Sequence, residues 1–229
     1  MRWPIALLLT TLPGLAAAQQ SHHEQVAKPQ VLAPGYSVLE FQAPAAGSYA
    51  LPVLGVAADG HLLDESGSPV TLHTLYDDRI VVLSFIYTTC PDVNGCPLAT
   101  FVLGQVQRRL SADERLNKTV RMISVSFDPV NDSPAVMANY GKSFRRDEID
   151  WRFLTAESEE KLAPILNNYD QAVIRDRDAD GQPVGAMSHI LRVYLIDPQK
   201  NIRNIYSPSY LHPDTLFADI RTIADGHMP

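Results

Sequence analysis

The run Ile80-Val-Val-Leu-Ser-Phe-Ile-Tyr87 constrains this chain more than any other segment. It is almost unbroken in β-branched, aromatic and other apolar residues, and its polar positions do not alternate. A strand with one solvated face alternates, whereas a strand covered on both faces does not. The run therefore belongs at the centre of a sheet with further structure on each side. The segments after it alternate in type. Pro97 to Leu110 sets Leu98, Val102, Val106 and Leu110 four residues apart, on one helical face. Val120 to Phe127 reads as a second strand. Asp132-Ser133-Pro134 combines a cap residue with proline at the first helical position, opening a helix to about Phe144. Glu157, Glu159 and Glu160 begin another helix near its positive end. Ile190 to Ile196 and Ile202 to Tyr206 flank Asp197-Pro-Gln-Lys-Asn201 as a β-hairpin, and Pro213 to Ala224 closes the chain with Leu216, Ile220 and Ile223 on one face. The order β-α-β-α-(β)-α-β-β-α predicts an α/β fold. Parallel β-α-β units followed by an antiparallel hairpin and a last helix describe a thioredoxin-like three-layer sandwich with a mixed central sheet.

Before that unit the chain reads differently. Met1-Arg2 is a short positive start, Pro4 to Leu15 is apolar, and Ala16-Ala17-Ala18 supplies the small residues of a cleavage site. Residues 1–18 are expected to be a signal peptide, since the apolar stretch is shorter than the ~20 residues that span a bilayer. The mature chain then starts at Gln19, carries no membrane span, and is periplasmic or otherwise exported and soluble. Residues 19–50 hold Pro29, Pro34, Pro44, Gly35 and Gly47 between short apolar pieces, so an irregular extension is expected, with one short strand at Tyr36 to Phe41. The folded domain is expected over 51–229. Nineteen Lys and Arg against 26 Asp and Glu give a net charge of −7, and Arg108-Arg109 and Arg145-Arg146 are isolated pairs. A nucleic-acid partner is not expected from that balance. No Gly-rich phosphate loop or Ser/His/Asp arrangement stands out.

The two cysteines lie in Tyr87-Thr-Thr-Cys90-Pro-Asp-Val-Asn-Gly-Cys96-Pro97, between the buried strand and the first amphipathic helix. Open α/β sheets present their chemistry at that junction. A thiol there meets the free N–H groups of a helix start, which favours the thiolate, the form that attacks disulfides and binds metals. A local redox pair, a metal site and a closed staple are all compatible with two cysteines so close together. Export permits their oxidation, so an intramolecular disulfide is expected in air.

Phe85-x-Tyr-Thr-x-Cys90-Pro-Asp-Val followed by Cys96-Pro97 resembles the SCO/SenC family, thioredoxin-fold copper proteins of cytochrome c oxidase assembly. Ser124-Val-Ser-Phe-Asp-Pro129 with Asp132-Ser-Pro134, Trp151-x-Phe-Leu-Thr155, and Ser188-His189 before Val193-Tyr-Leu-Ile-Asp197 are similar to further blocks of that family. The likeness runs from about Leu51 to Leu216. It implies copper as the bound metal, Cys90, Cys96 and His189 as its ligands, and an apo cuproprotein such as a cytochrome c oxidase subunit as partner. Two thiolates and one imidazole form a soft set suited to Cu(I). The family's cysteines are separated by three residues and here five intervene. Asn94-Gly95 then reads as a two-residue insertion that bulges outward by taking positive φ. The resemblance implies a metallochaperone. A thiol–disulfide oxidoreductase, with Cys90 attacking and Cys96 resolving, is the second reading of the same loop. Met187 and Asp92 are lesser candidates as ligands or tuning groups, and His22-His23 as a metal lure. His61, His73, His212 and His227 have no partner at ligand spacing, and His212-Pro213-Asp214 reads as a helix start.

Overall fold

The computed structural model describes Met1 and residues 38–226, apart from 93, 147, 148, 182 and 183. The expected signal peptide, His22-His23, Tyr36 and His227 lie outside the described residues. In chain order the elements are β1 Gly55–Val56, β2 His61–Leu63, β3 Pro69–Thr71, α1 Leu72–Tyr76, β4 Ile80–Ile86, α2 Cys96–Ser111, α3 Leu116–Thr119 and β5 Val120–Ser126. There follow α4 Pro134–Lys142, β6 Trp151–Leu154, α5 Glu159–Asn168, β7 Val173–Ile174, β8 Ser188–His189, β9 Val193–Ile196, β10 Asn201–Tyr206 and α6 Pro213–Ala224.

The apolar run becomes β4, with all seven residues buried. It lies in the middle of a six-stranded sheet of order β1-β10-β9-β4-β5-β6. On one side β4 pairs with β5 in parallel from Ile80↔Val120 to Ile86↔Ser126, and β5 pairs with β6 in parallel. On the other side β9 runs antiparallel to β4, followed by β10 and β1. The sheet is therefore mixed. Helices α2 and α6 pack on each other and against β4, and α4 packs on β6. Phe85 meets the rings of Tyr169 and Tyr194 at 5.6 and 6.1 Å. The buried Tyr76 and Tyr169 hydroxyls share a hydrogen bond of 2.5 Å. The one serine of the run is satisfied inside the core. Ser84 Oγ lies 2.8 Å from Ser124 Oγ, which accepts from Trp151 Nε1 at 3.0 Å. A buried hydroxyl without such a partner would cost ~1–3 kcal/mol.

The caps agree with the sequence. Ser133 accepts from the Val136 N–H, Ser158 from the Lys161 N–H, and the His212 side chain from the Asp214 N–H. Three expectations need correction. Val38 to Phe41 form no strand. The first strand of the late hairpin begins at Val193 rather than Ile190. The basic residues, scattered in sequence, converge in space: Arg79, Lys118, Lys142, Arg145, Arg146 and Arg152 line one cleft of about 790 Å³ with Asp150. Asp150 pairs with Arg79 at 3.3 Å, Arg121 at 2.7 Å and Arg152 at 2.5 Å, tying the starts of β4, β5 and β6 together. Among the described residues, no helix is long and apolar enough to cross a membrane.

Candidate metal centre

The cysteine loop leaves the C-terminal end of β4 and enters α2 at Cys96, with Gly95 at the N-cap and Pro97 in the first turn. Proline is at home there because its missing N–H would have had no helical acceptor. Asp92 holds the widened loop, and neither Asn94 nor Gly95 takes a left-handed backbone. Asp92 Oδ1 accepts from the Asn94 N–H at 3.0 Å, and its carbonyl accepts from the Gly95 N–H at 2.9 Å. Gly95 has φ −99°, and Asn94 is not among the residues of positive φ. The extra residues do bulge outward, with Pro91, Asp92 and Asn94 exposed and Cys96 buried. The expected positive φ is replaced by an Asx turn that satisfies the Asn94 N–H and a backbone turn that satisfies the Gly95 N–H.

The start of the loop is clamped as well. Asp132 is buried and accepts from the Thr88 N–H at 3.0 Å, from Thr88 Oγ1 at 2.5 Å and from Ser126 Oγ at 2.5 Å. Because Ser133 caps α4, Asp132 is free to hold the cysteine loop against the end of β5. Mobility at Thr88 would be transmitted to Cys90, two residues on.

His189 comes from the other end of the chain, but not from a bare loop. It lies in β8, paired with Val173 of β7. Its ring sits 4.8 Å from the Phe127 ring and meets Tyr87 edge-on at 5.8 Å. Tyr87 and Phe127 follow directly on β4 and β5, so the two central strands end in an aromatic bed that supports the imidazole. Arg175, after β7, donates to the buried Asp128 carboxylate at 2.5 Å and to Met187 Sδ at 2.9 Å, fixing the ribbon to the end of β5.

This framework sets His189 Nε2 3.7 Å from Cys90 Sγ and 3.9 Å from Cys96 Sγ. All three ligand atoms lie within 4.8 Å of one another, the one such His, Cys, Asp or Glu cluster among the described residues. Bonds of about 2.0–2.3 Å to sulfur and nitrogen in a trigonal arrangement separate the donors by roughly 3.8 Å. The pocket therefore matches a single three-coordinate ion. Two sulfurs and one nitrogen suit a soft ion, whereas a structural zinc site takes four protein ligands. The widened cysteine spacing does not prevent convergence. Asp92 uses its carboxylate on the loop and Met187 its sulfur on Arg175, so neither joins the three donors. His73 Nε2 lies 2.8 Å from the Ala57 carbonyl oxygen, His61 is exposed on β2, and His212 caps α6.

Cys90 and Cys96 are free thiols of unequal environment, half-buried and buried respectively. The Cys96 thiol donates to Cys90, and His189 with the Cys96 and Asp92 N–H groups adds further donors, pulling Cys90 far below the usual thiol range. Donation of that proton and burial push Cys96 up. Ionisation of the pair is thus favoured at the more exposed sulfur, Cys90. Cys90 is expected to react with iodoacetamide almost as fast at pH 5 as at pH 8. An ordinary thiol loses roughly a thousandfold over that interval as its thiolate disappears. A rate that falls tenfold per pH unit below 8, followed by mass spectrometry of the Cys90 peptide, would contradict this asymmetry.

Sequence reasoning did not single out Tyr87, Phe127, Asp128, Asp132 or Arg175 as parts of this site. Four of them fall inside quoted motifs, Tyr87 in Phe85–Cys90 and Phe127, Asp128 and Asp132 in Ser124–Pro134, and were legible there only as members of a block. The aromatic bed and the Arg175 brace join segments far apart in sequence, which no local pattern reveals.

A family model for SCO1/SenC matches residues 56–225. The SCO1 protein homolog of Bacillus subtilis is 25% identical over 160 residues, covering 69% of this chain and 78% of that protein. The copper-bound structure of Bradyrhizobium japonicum ScoI is 26% identical with a TM-score of 0.59, covering 73% of this chain and 99% of ScoI. BsSco, described with a disulfide switch as a member of the Sco family of cytochrome c oxidase assembly proteins, is 22% identical with a TM-score of 0.60, covering 77% and 98%. The thioredoxin-like fold, the ordered sequence blocks and the family match over three quarters of the length agree: this chain belongs to the SCO1/SenC family.

Proposed function

We propose that this protein is an exported copper-binding assembly factor. Cys90, Cys96 and His189 hold one copper ion and pass it to an apo cuproprotein such as a cytochrome c oxidase subunit. The observation that carries this reading is the convergence of two sulfurs and one imidazole nitrogen at separations suited to a three-coordinate ion. The copper-bound state of Bradyrhizobium japonicum ScoI supports it. Copper is cargo here, so the site must both hold it and release it. Cys96 and His189 are carried by α2 and β8, and Cys90 by the exposed loop, which leaves one ligand accessible for exchange. A receiving thiolate would approach on the Cys90 side, because Cys96 is buried. X-ray absorption at the copper edge of the Cu(I)-loaded chain tests the reading, with two sulfur and one imidazole scatterers expected. The signal peptide over residues 1–18 and the extension over 19–50 belong to the same reading, since an exported domain meets its partner outside the cytoplasm.

A second reading has its own support. The unequal cysteines resemble an attacking and a resolving thiol, with the charge on the accessible sulfur. In this role Cys90 would attack a disulfide in a copper-site protein and Cys96 would displace it, leaving the partner's thiols reduced and this chain oxidised. BsSco, with its disulfide switch, supports that possibility for the fold. The two roles are compatible in sequence, because only the reduced pair can ligate copper.

A further inference from the structure

Beside the thiols, a groove of about 530 Å³ runs between α2 and α4. It starts at Thr88 and Pro97, the residues flanking the two cysteines, and continues over Phe101, Tyr140 and Phe144 to Arg108 and Arg146 at its far end. The Thr100 and Tyr140 hydroxyls, 3.0 Å apart, link the two helices across it. Gly104 forms part of its wall in the middle of α2. Glycine is the least favourable ordinary residue in a helix interior. At the other constrained helical glycine the reason is visible, since a Cβ on Gly141 would lie 2.6 Å from the Phe153 ring. At Gly104 there is no such reason. A Cβ there meets nothing within 4 Å, and its φ is not positive. No packing contact and no backbone conformation demands glycine, yet its absent side chain keeps the groove open.

We propose that this groove docks an extended segment of the protein that exchanges metal or electrons with Cys90, a segment presenting an apolar or aromatic side chain followed by carboxylates. The groove's apolar wall takes the ring, its continuity with Thr88 and Pro97 aligns the segment toward the sulfurs, and Arg108 and Arg146 receive the carboxylates. Both arginines are exposed, and among the described residues no carboxylate lies within ion-pair distance of either. Their charge stands out on a chain of net charge −7. This inference rests on the reading of the thiol site as one that acts on a partner protein. It fails separately, because its test uses no copper.

The probe is the synthetic peptide acetyl-Ser-Phe-Glu-Asp-Glu-amide, titrated into the reduced, 15N-labelled full-length mature chain and followed by amide shifts. The expected result is saturable shifts confined to residues 88, 98–108 and 140–146. Gly104→Leu, which fills the groove while improving helix propensity, is expected to weaken binding at least tenfold and to leave Cys90 alkylation unchanged. Arg108→Glu with Arg146→Glu is expected to do the same, and a peptide with Lys in place of the acidic residues should not bind. Shifts elsewhere, no shifts at all, or equal affinity for wild type and Gly104→Leu would overturn the proposal. Groove shifts that follow protein concentration without peptide would also overturn it, by assigning the groove to a second copy of this chain.

Discussion

Cys96→Ser is expected to lower Cu(I) affinity by a thousandfold or more, roughly 4 kcal/mol, in competition with a calibrated chelator. Cys90→Ser should lose as much and His189→Ala distinctly less. The ranking follows from ligand softness. Thiolates dominate the affinity of a soft monovalent ion, whereas imidazole is an intermediate donor. Each cysteine supplies one of only two sulfurs, and no third cysteine exists in the chain to replace it. The serine oxygen is a hard donor of nearly the same size, so the fold is preserved and the loss reads on ligation. For Cu(II) the His189→Ala penalty should grow, because that ion favours imidazole. A protein acting only by disulfide exchange would give another pattern, with His189→Ala taking up copper like wild type and the cysteine variants losing only exchange.

The second large effect concerns stability and lies far from the thiols in sequence. Arg203 is 3% exposed and pairs at 3.1 Å with Asp197, whose side chain is fully buried. The pair closes the β9–β10 hairpin at the irregular step between Ile202 and Asn204. Arg203 also donates to the Leu51 carbonyl, and Asp197 accepts from the Asn201 backbone N–H at 2.8 Å and from the Asn201 side chain at 3.2 Å. Arg203→Met is expected to destabilise the protein by about 3–5 kcal/mol, since it strands a buried carboxylate. For a domain of this size that corresponds to a drop in melting temperature on the order of 10 °C. Adding Asp197→Asn to Arg203→Met should restore much of the loss. The asparagine removes the uncompensated charge but keeps an oxygen for the Asn201 N–H. Thermal unfolding of the two variants in parallel checks this. A single variant as stable as wild type, or a double variant less stable than the single, would show that the pair is not what closes the hairpin.

Much of the fold was legible because its central elements are long and chemically uniform. An unbroken apolar run, a four-residue apolar spacing and a Ser-Pro helix start each report a local cause, so β4, α2 and α4 emerge near their observed ends. Strands of two or three residues have no such signature. β1 exists because it pairs with β10, some 145 residues later in the register Gly55↔Ile202 and Val56↔Asn201. The β7–β8 ribbon likewise exists through Val173↔His189. The site divides in the same way. Its three donors stand in recognisable motifs, but what orients them is tertiary: the aromatic bed of Tyr87 and Phe127, the Arg175–Asp128 brace and the Asp132 clamp. The Asn-Gly insertion shows where local chemistry misleads. Its dipeptide favours left-handed turns, yet a neighbouring aspartate offered the two N–H groups a partner without one.

Cys90, Cys96 and His189 are expected to form one copper site together despite the lengthened loop. Extended X-ray absorption fine structure of the reduced chain carrying one Cu(I) tests it most directly. A three-coordinate copper with two sulfur scatterers and one imidazole is expected, with loss of the imidazole signature in His189→Ala. A copper bound through one sulfur, or with the same imidazole signal in His189→Ala as in wild type, would contradict it.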